Sequence, residues 1–85
     1  MQTLVQAMHI NQFAEAARTA GIRISPADAS GDIAVHSPEG LTVIAGDQAA
    51  AVHGQARSIW GTAGVVSYQT ALLYCGLHYL AQESA

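Results

Sequence analysis

Apolar residues recur at helical spacing in three stretches of the chain, and between the first two of these they alternate with polar ones. The last stretch, 58–82, reads SIWGTAGVVSYQTALLYCGLHYLAQ and holds no charged residue. Within it Val66, Thr70, Leu73, Leu77 and Leu80 follow alternating steps of four and three, which makes one continuous face on a helix of about 65–82. Leu72, Cys75 and Tyr79 widen that face on one flank, while Ser67, Tyr74, His78 and Gln82 edge the other. Gly76 falls mid-helix, where glycine costs about 1 kcal/mol against alanine, so it marks a close backbone approach or a kink.

The first helical stretch, 11–20, is rich in strong helix formers. Asn11 suits its N-cap, and Gly21 stands where a helix closes on a left-handed residue. Ile10, Phe13, Ala17 and Ala20 form its apolar stripe, and Glu15 and Arg18 read as a solvated pair. Residues 1–10 are ambiguous: Leu4, Ala7 and Met8 suit a helical face, and 4–6 suit a short edge strand. The middle stretch, 48–60, follows Asp47 as N-cap and places Ala49, Val52, Ala56 and Ile59 on one face and His53 and Arg57 on another. GTAG at 61–64 breaks this helix and turns the chain into the last one.

Between the helices, 22–25 alternates as a strand with Ile22 and Ile24 on one face, and Pro26 stops it. Residues 26–31 are turn chemistry throughout, which marks a variable loop. The segment 32–46, DIAVHSPEGLTVIAG, is a hairpin, with strands of about 32–37 and 41–45. Pro38 fixes the first turn position, and Gly40 supplies a positive backbone angle for a three-residue loop with a bulge. In that register Ser37 opposes Leu41, Val35 opposes Val43 and Ile33 opposes Ala45. Ile33, Val35, Leu41 and Val43 would then share one face, and Ala34, His36, Thr42 and Ile44 the other. A one-residue slip would turn the apolar set to water. The expected fold is one small α+β domain spanning 1–85: a hairpin, or a three-stranded antiparallel sheet with 22–25 as third strand, packed on three helices.

Composition narrows what covers the last helix. The stretch 58–82 has the length of a membrane span, about 20 apolar residues. Ser67, Gln69, Thr70 and His78 interrupt it, however, and its tyrosines lie along its length instead of at its ends. A helix apolar nearly all round in an 85-residue chain implies that a second subunit or a target protein does part of the covering. Hydrophobic residues make up 51% of the chain and charged ones 11%, which favours association as the route to stability. A single cysteine excludes an internal disulfide and points to a reducing compartment. Without a basic N-terminal run before an apolar one, no secretory signal is read at Met1, and the expected location is the cytoplasm.

Formal net charge is −3, and the only cations besides histidine are Arg18, Arg23 and Arg57. That is too few for a nucleic-acid surface unless dimerisation brings two sets together. The chain has no GxGxxG, and without lysine it cannot hold a phosphate loop. A GxSxG elbow is also missing. His9, His36, His53 and His78 are scattered. Cys75 and His78, three apart on one helix, could meet as half a metal site or as an activated thiol, but a metal would need two more ligands, such as His53 or Asp47. Asp28, Asp32, Glu39 and Asp47 suit turns and helix starts better than a general acid and base.

The sequence therefore assigns no catalytic, cofactor or metal residue. It favours a non-enzymatic module that binds protein, as a homodimer or on a larger target, in the manner of a small inhibitor, adaptor or regulatory subunit. This order of elements is common among accessory proteins of bacteria and phages. Trp60 is either a lid on the core edge or an exposed anchor, and with Tyr68, Leu73, Tyr74, Leu77 and His78 it makes up the expected partner interface. The alternatives are a metal or small-ligand module on Cys75 and His78, and a dimeric DNA-binding regulator.

Overall fold

The computed structural model describes residues 2–26, 31–65 and 67–84. The chain runs α1 (Gln2–Thr19), β1 (Arg23–Pro26), β2 (Ile33–Ser37), β3 (Gly40–Ile44), α2 (Gly46–Ala63) and α3 (Tyr68–Ser84). The strands form one antiparallel sheet in the order β1-β2-β3, so the chain has the α+β architecture its patterning predicts. Residues 27–30 of the predicted loop, with Asp28, lie outside the described residues, as do Val66 and the side chains of Leu4 and Ala7.

Helix α1 begins nine residues before the predicted start, so Asn11 is an interior residue and not a cap. No glycine or proline interrupts 2–20, and nothing there stops a helix from propagating. Its C-terminus closes on Gly21 at φ 87°. The Gly21 N–H donates to the Arg18 carbonyl and the Ile22 N–H to the Ala17 carbonyl, each at 3.0 Å, and this pair of bonds satisfies two terminal carbonyls and turns the chain into β1.

The hairpin departs from the predicted register. Ser37 pairs with Gly40, Val35 with Thr42 and Ile33 with Ile44, so the loop holds two residues, Pro38 and Glu39. Ser37 ties the turn: its Oγ accepts from the Glu39 N–H at 3.3 Å and donates to the Gly40 carbonyl at 3.2 Å. Gly40, at φ 143°, then enters the strand directly in a conformation that other residues rarely adopt. Shortening the loop by one residue inverts β3. Ile44 is buried beside Ile33 and Val35, while Leu41 and Val43, expected in the core, are 60% and 53% exposed on the opposite face.

Helix α2 is capped by Ala45 without a side-chain hydrogen bond, and Asp47 instead sits in the first turn, where its charge meets the positive end of the helix dipole. The helix runs through Trp60 and Gly61 and ends at Gly64, which is left-handed at φ 74°. Ala49, Val52 and Ala56 form its buried face, as predicted, with Ile59 half-buried at its end. Helix α3 starts at Tyr68 because Ser67 caps it, its Oγ accepting the Thr70 N–H at 3.1 Å.

The core is built around α3. Ala71, Leu72, Leu73 and Cys75 are buried against Ile10 and Ala14 of α1, the inner sheet residues and the alanine face of α2. A Cβ on Gly76 would stand 2.8 Å from Ile24 Cδ1, so the glycine marks a close approach to β1, as its sequence position suggested. Leu77, Leu80, Tyr74 and Tyr79 are half-buried against the same core. The last helix is thus covered largely by its own chain, with Tyr74, Leu77, Tyr79 and Leu80 still partly exposed. Among the described residues no helix is long and apolar enough to cross a membrane.

Candidate interaction surface

The six residues expected to form one interface are divided between the core and two separate aromatic clusters. Leu73 is 2% exposed and so is not available to a partner as an exposed anchor, and Leu77 is half-buried against the core. Tyr74 and His78 meet at 4.3 Å between ring centroids and take up Phe13 of α1, 5.2 Å from Tyr74 and 5.3 Å from His78. His9 adds an edge contact to Tyr74 at 6.0 Å. Trp60, 47% exposed, stands edge-on to Tyr68 at 5.7 Å, and Tyr68 stacks on His53 at 6.1 Å. Tyr68 and Tyr74 are six residues apart, which turns them about 120° from each other around α3 and separates the clusters.

His53 has a structural role that its position in the chain did not reveal. Its Nε2 donates to the Gly31 carbonyl at 3.1 Å, and its Nδ1 is hydrogen-bonded to the Tyr68 hydroxyl. A carbonyl only accepts, so Nε2 carries the proton and, in the neutral ring, Nδ1 accepts from Tyr68. The ring joins α2 to the start of α3 and to the chain entering β2. Burial pushes the Tyr68 phenol above its ordinary value, with Arg57 acting the other way and Cys75 adding to the rise.

Arg18 does more than pair with Glu15, which it meets at 3.5 Å. Its Nη2 also donates to Thr70 Oγ1 at 2.8 Å and ties α1 to the first turn of α3. Thr70 is buried, and this bond together with Ser67 satisfies its hydroxyl.

Cys75 and His78 differ in their surroundings. The thiol is buried and pushed up to about 11 by that burial, so it is protonated near neutral pH, whereas His78 is exposed and turned toward Phe13 and Tyr74. Among the described residues no three His, Cys, Asp or Glu side chains stand close enough to hold a metal. Glu83 accepts the Tyr79 hydroxyl at 3.1 Å.

The two outer edges of the sheet differ: a side chain of α3 holds part of the β1 edge, and the β3 edge carries no such bond among the described residues. Gln69 Nε2 donates to the Ile24 carbonyl at 3.1 Å, so the backbone of Ile24 faces away from β2. In an antiparallel ladder, the N–H and C=O of one residue point to the same side and successive residues alternate. Arg23 and Ser25 therefore bond His36 and Ala34 of β2, Ile33, Val35 and Ser37 bond β3, and the backbone groups of Leu41 and Val43 point to the outer edge of β3. Their exposed apolar side chains accompany those groups. The segment 40–46, GLTVIAG, carries no charge and no proline that would blunt such an edge.

This architecture defines a small α+β protein with a three-stranded antiparallel sheet. Comparisons with protein families, curated proteins and solved structures find no match to the chain.

Proposed function

We propose that this chain is a non-enzymatic protein-association module of the inhibitor, adaptor or regulatory-subunit kind, acting in the cytoplasm as a homodimer or on a larger protein. The observation that carries the reading is the outer edge of β3, where backbone groups unpaired among the described residues and the exposed Leu41 and Val43 side chains lie together. An extended strand laid along that edge would complete the ladder, and its side chains would cover the two apolar ones. A second copy fits this without charge repulsion. Two β3 strands running antiparallel about a two-fold axis at Thr42 align Leu41 with Val43 of the second copy and merge two three-stranded sheets into one of six. The buried, protonated Cys75 thiol is not an activated nucleophile, in keeping with that reading.

Sedimentation equilibrium from micromolar to millimolar concentration tests the homodimer. A dimer whose β3 amides are protected from hydrogen exchange is the expected result. A strict monomer across that range, with β3 amides exchanging freely, overturns it.

A further inference from the structure

We infer that the groove along the outer edge of β1 is a binding site for a small phosphate-type oxyanion. The groove is a cavity of about 350 Å³ lined by Arg18, Arg23, Ile24, Ser25, Gln69 and Leu73, among others, and no acidic residue lines it. That volume lies in the range of small-molecule pockets. A chain of formal charge −3 thus places two of its three arginines on one concave surface.

Two of the side chains there, Arg18 and Gln69, are held in position by the fold. Arg18 is held by Thr70 at 2.8 Å and by Glu15 at 3.5 Å, which leaves part of its guanidinium fork unused. The exposed Glu15 carboxylate offsets some of its charge. Among the described residues the Arg23 guanidinium has no ion pair or side-chain hydrogen bond. The Ile24 N–H points to the same side of the strand as its carbonyl, which Gln69 holds, and so it faces this edge as a further donor. Gln69 also lies in the first turn of the 17-residue helix α3, whose positive end is therefore at the same wall. Two guanidinium groups, a backbone N–H and the first turn of α3 thus line one groove, a set of donors that suits an oxyanion with several oxygens.

The site is independent of the β3 edge, and it can be tested with inorganic phosphate as the probe. Isotope-labelled protein is titrated at constant ionic strength, with acetate in a parallel arm, and amide shifts are followed. Saturable phosphate-induced shifts confined to Ile24, Ser25, Gln69 and Thr70 are expected. Arg23→Gln should weaken binding about tenfold or more while leaving the melting temperature unchanged, and Arg57→Gln should leave it intact. The exposed Arg23 side chain has no partner among the described residues, so its variant keeps the test decisive even if an Arg18 variant fails to fold. Shifts that do not saturate, that spread equally to the surroundings of Arg57, or that persist unchanged in Arg23→Gln overturn the assignment. Acetate binding as tightly as phosphate overturns it as well.

Discussion

Gly76 and Ile24 are in contact where α3 crosses β1: a methyl group added to the glycine would stand 2.8 Å from Ile24 Cδ1. Ile24 is itself buried in the core, so its terminal carbon would have to turn aside to make room for that methyl group. This contact sets how closely the last helix can approach the sheet.

Gly76→Ala therefore sets two effects against each other. Alanine gains about 1 kcal/mol of helix propensity, and overpacking costs about 1–3 kcal/mol. We expect net destabilisation of about 1 kcal/mol by urea unfolding. In an Ile24→Val background, which lacks Cδ1, the same substitution should stabilise. The same sign in both backgrounds would mean that the contact is not what limits the helix.

Gly40→Ala should cost about 1–3 kcal/mol, because φ 143° is strained for any residue with a Cβ even though the space around Gly40 is open. Thermal or urea unfolding measures the loss. A cost below about 0.5 kcal/mol would show that the hairpin can leave this conformation freely.

Cys75 gives a pH dependence with a defined sign. The folded thiol is raised from 9.0 to about 11, so the folded state holds its proton after the unfolded chain has begun to lose it. The resulting stability is fully present below pH 9 and is lost as pH rises toward 11. The raised Tyr68 phenol acts in the same direction. Unfolding midpoints should fall across that window, and Cys75→Ala should flatten part of the slope. Native Cys75 should also react slowly with thiol reagents at pH 8, and fast labelling would contradict its burial.

Val43→Lys places a charge on the outer edge of β3 without touching the core, since Val43 is largely exposed. We expect the variant to keep its melting temperature within about 0.5 kcal/mol of equivalent stability and to lose self-association in sedimentation. A fully dimeric variant would show that pairing does not use β3.

Much of the fold was legible because it depends on local chemistry. The alanine face of α2, the end of α1 at Gly21, the Pro38 turn and the close approach at Gly76 all follow from spacing and from what single residues permit. The proposed site was less legible. The Phe13, Tyr74 and His78 cluster, the Arg18 to Thr70 bond and the His53 bridge to Gly31 and Tyr68 join residues far apart in the chain, and no local period encodes them.

The sequence by itself determined which residues alternate along β3, but both alternating sets contain apolar side chains, so alternation could not say which set faces inward. Tertiary structure decided that through one residue of loop length: the Ser37 bonds and the Gly40 backbone close a two-residue turn, which buries Ile44 and leaves Leu41 and Val43 outside. The same holds for α3. Its apolar content could be read from the chain, but only the packed structure supplied the α1, α2 and sheet surfaces that cover it, because burial depends on neighbours that the spacing of one helix does not specify.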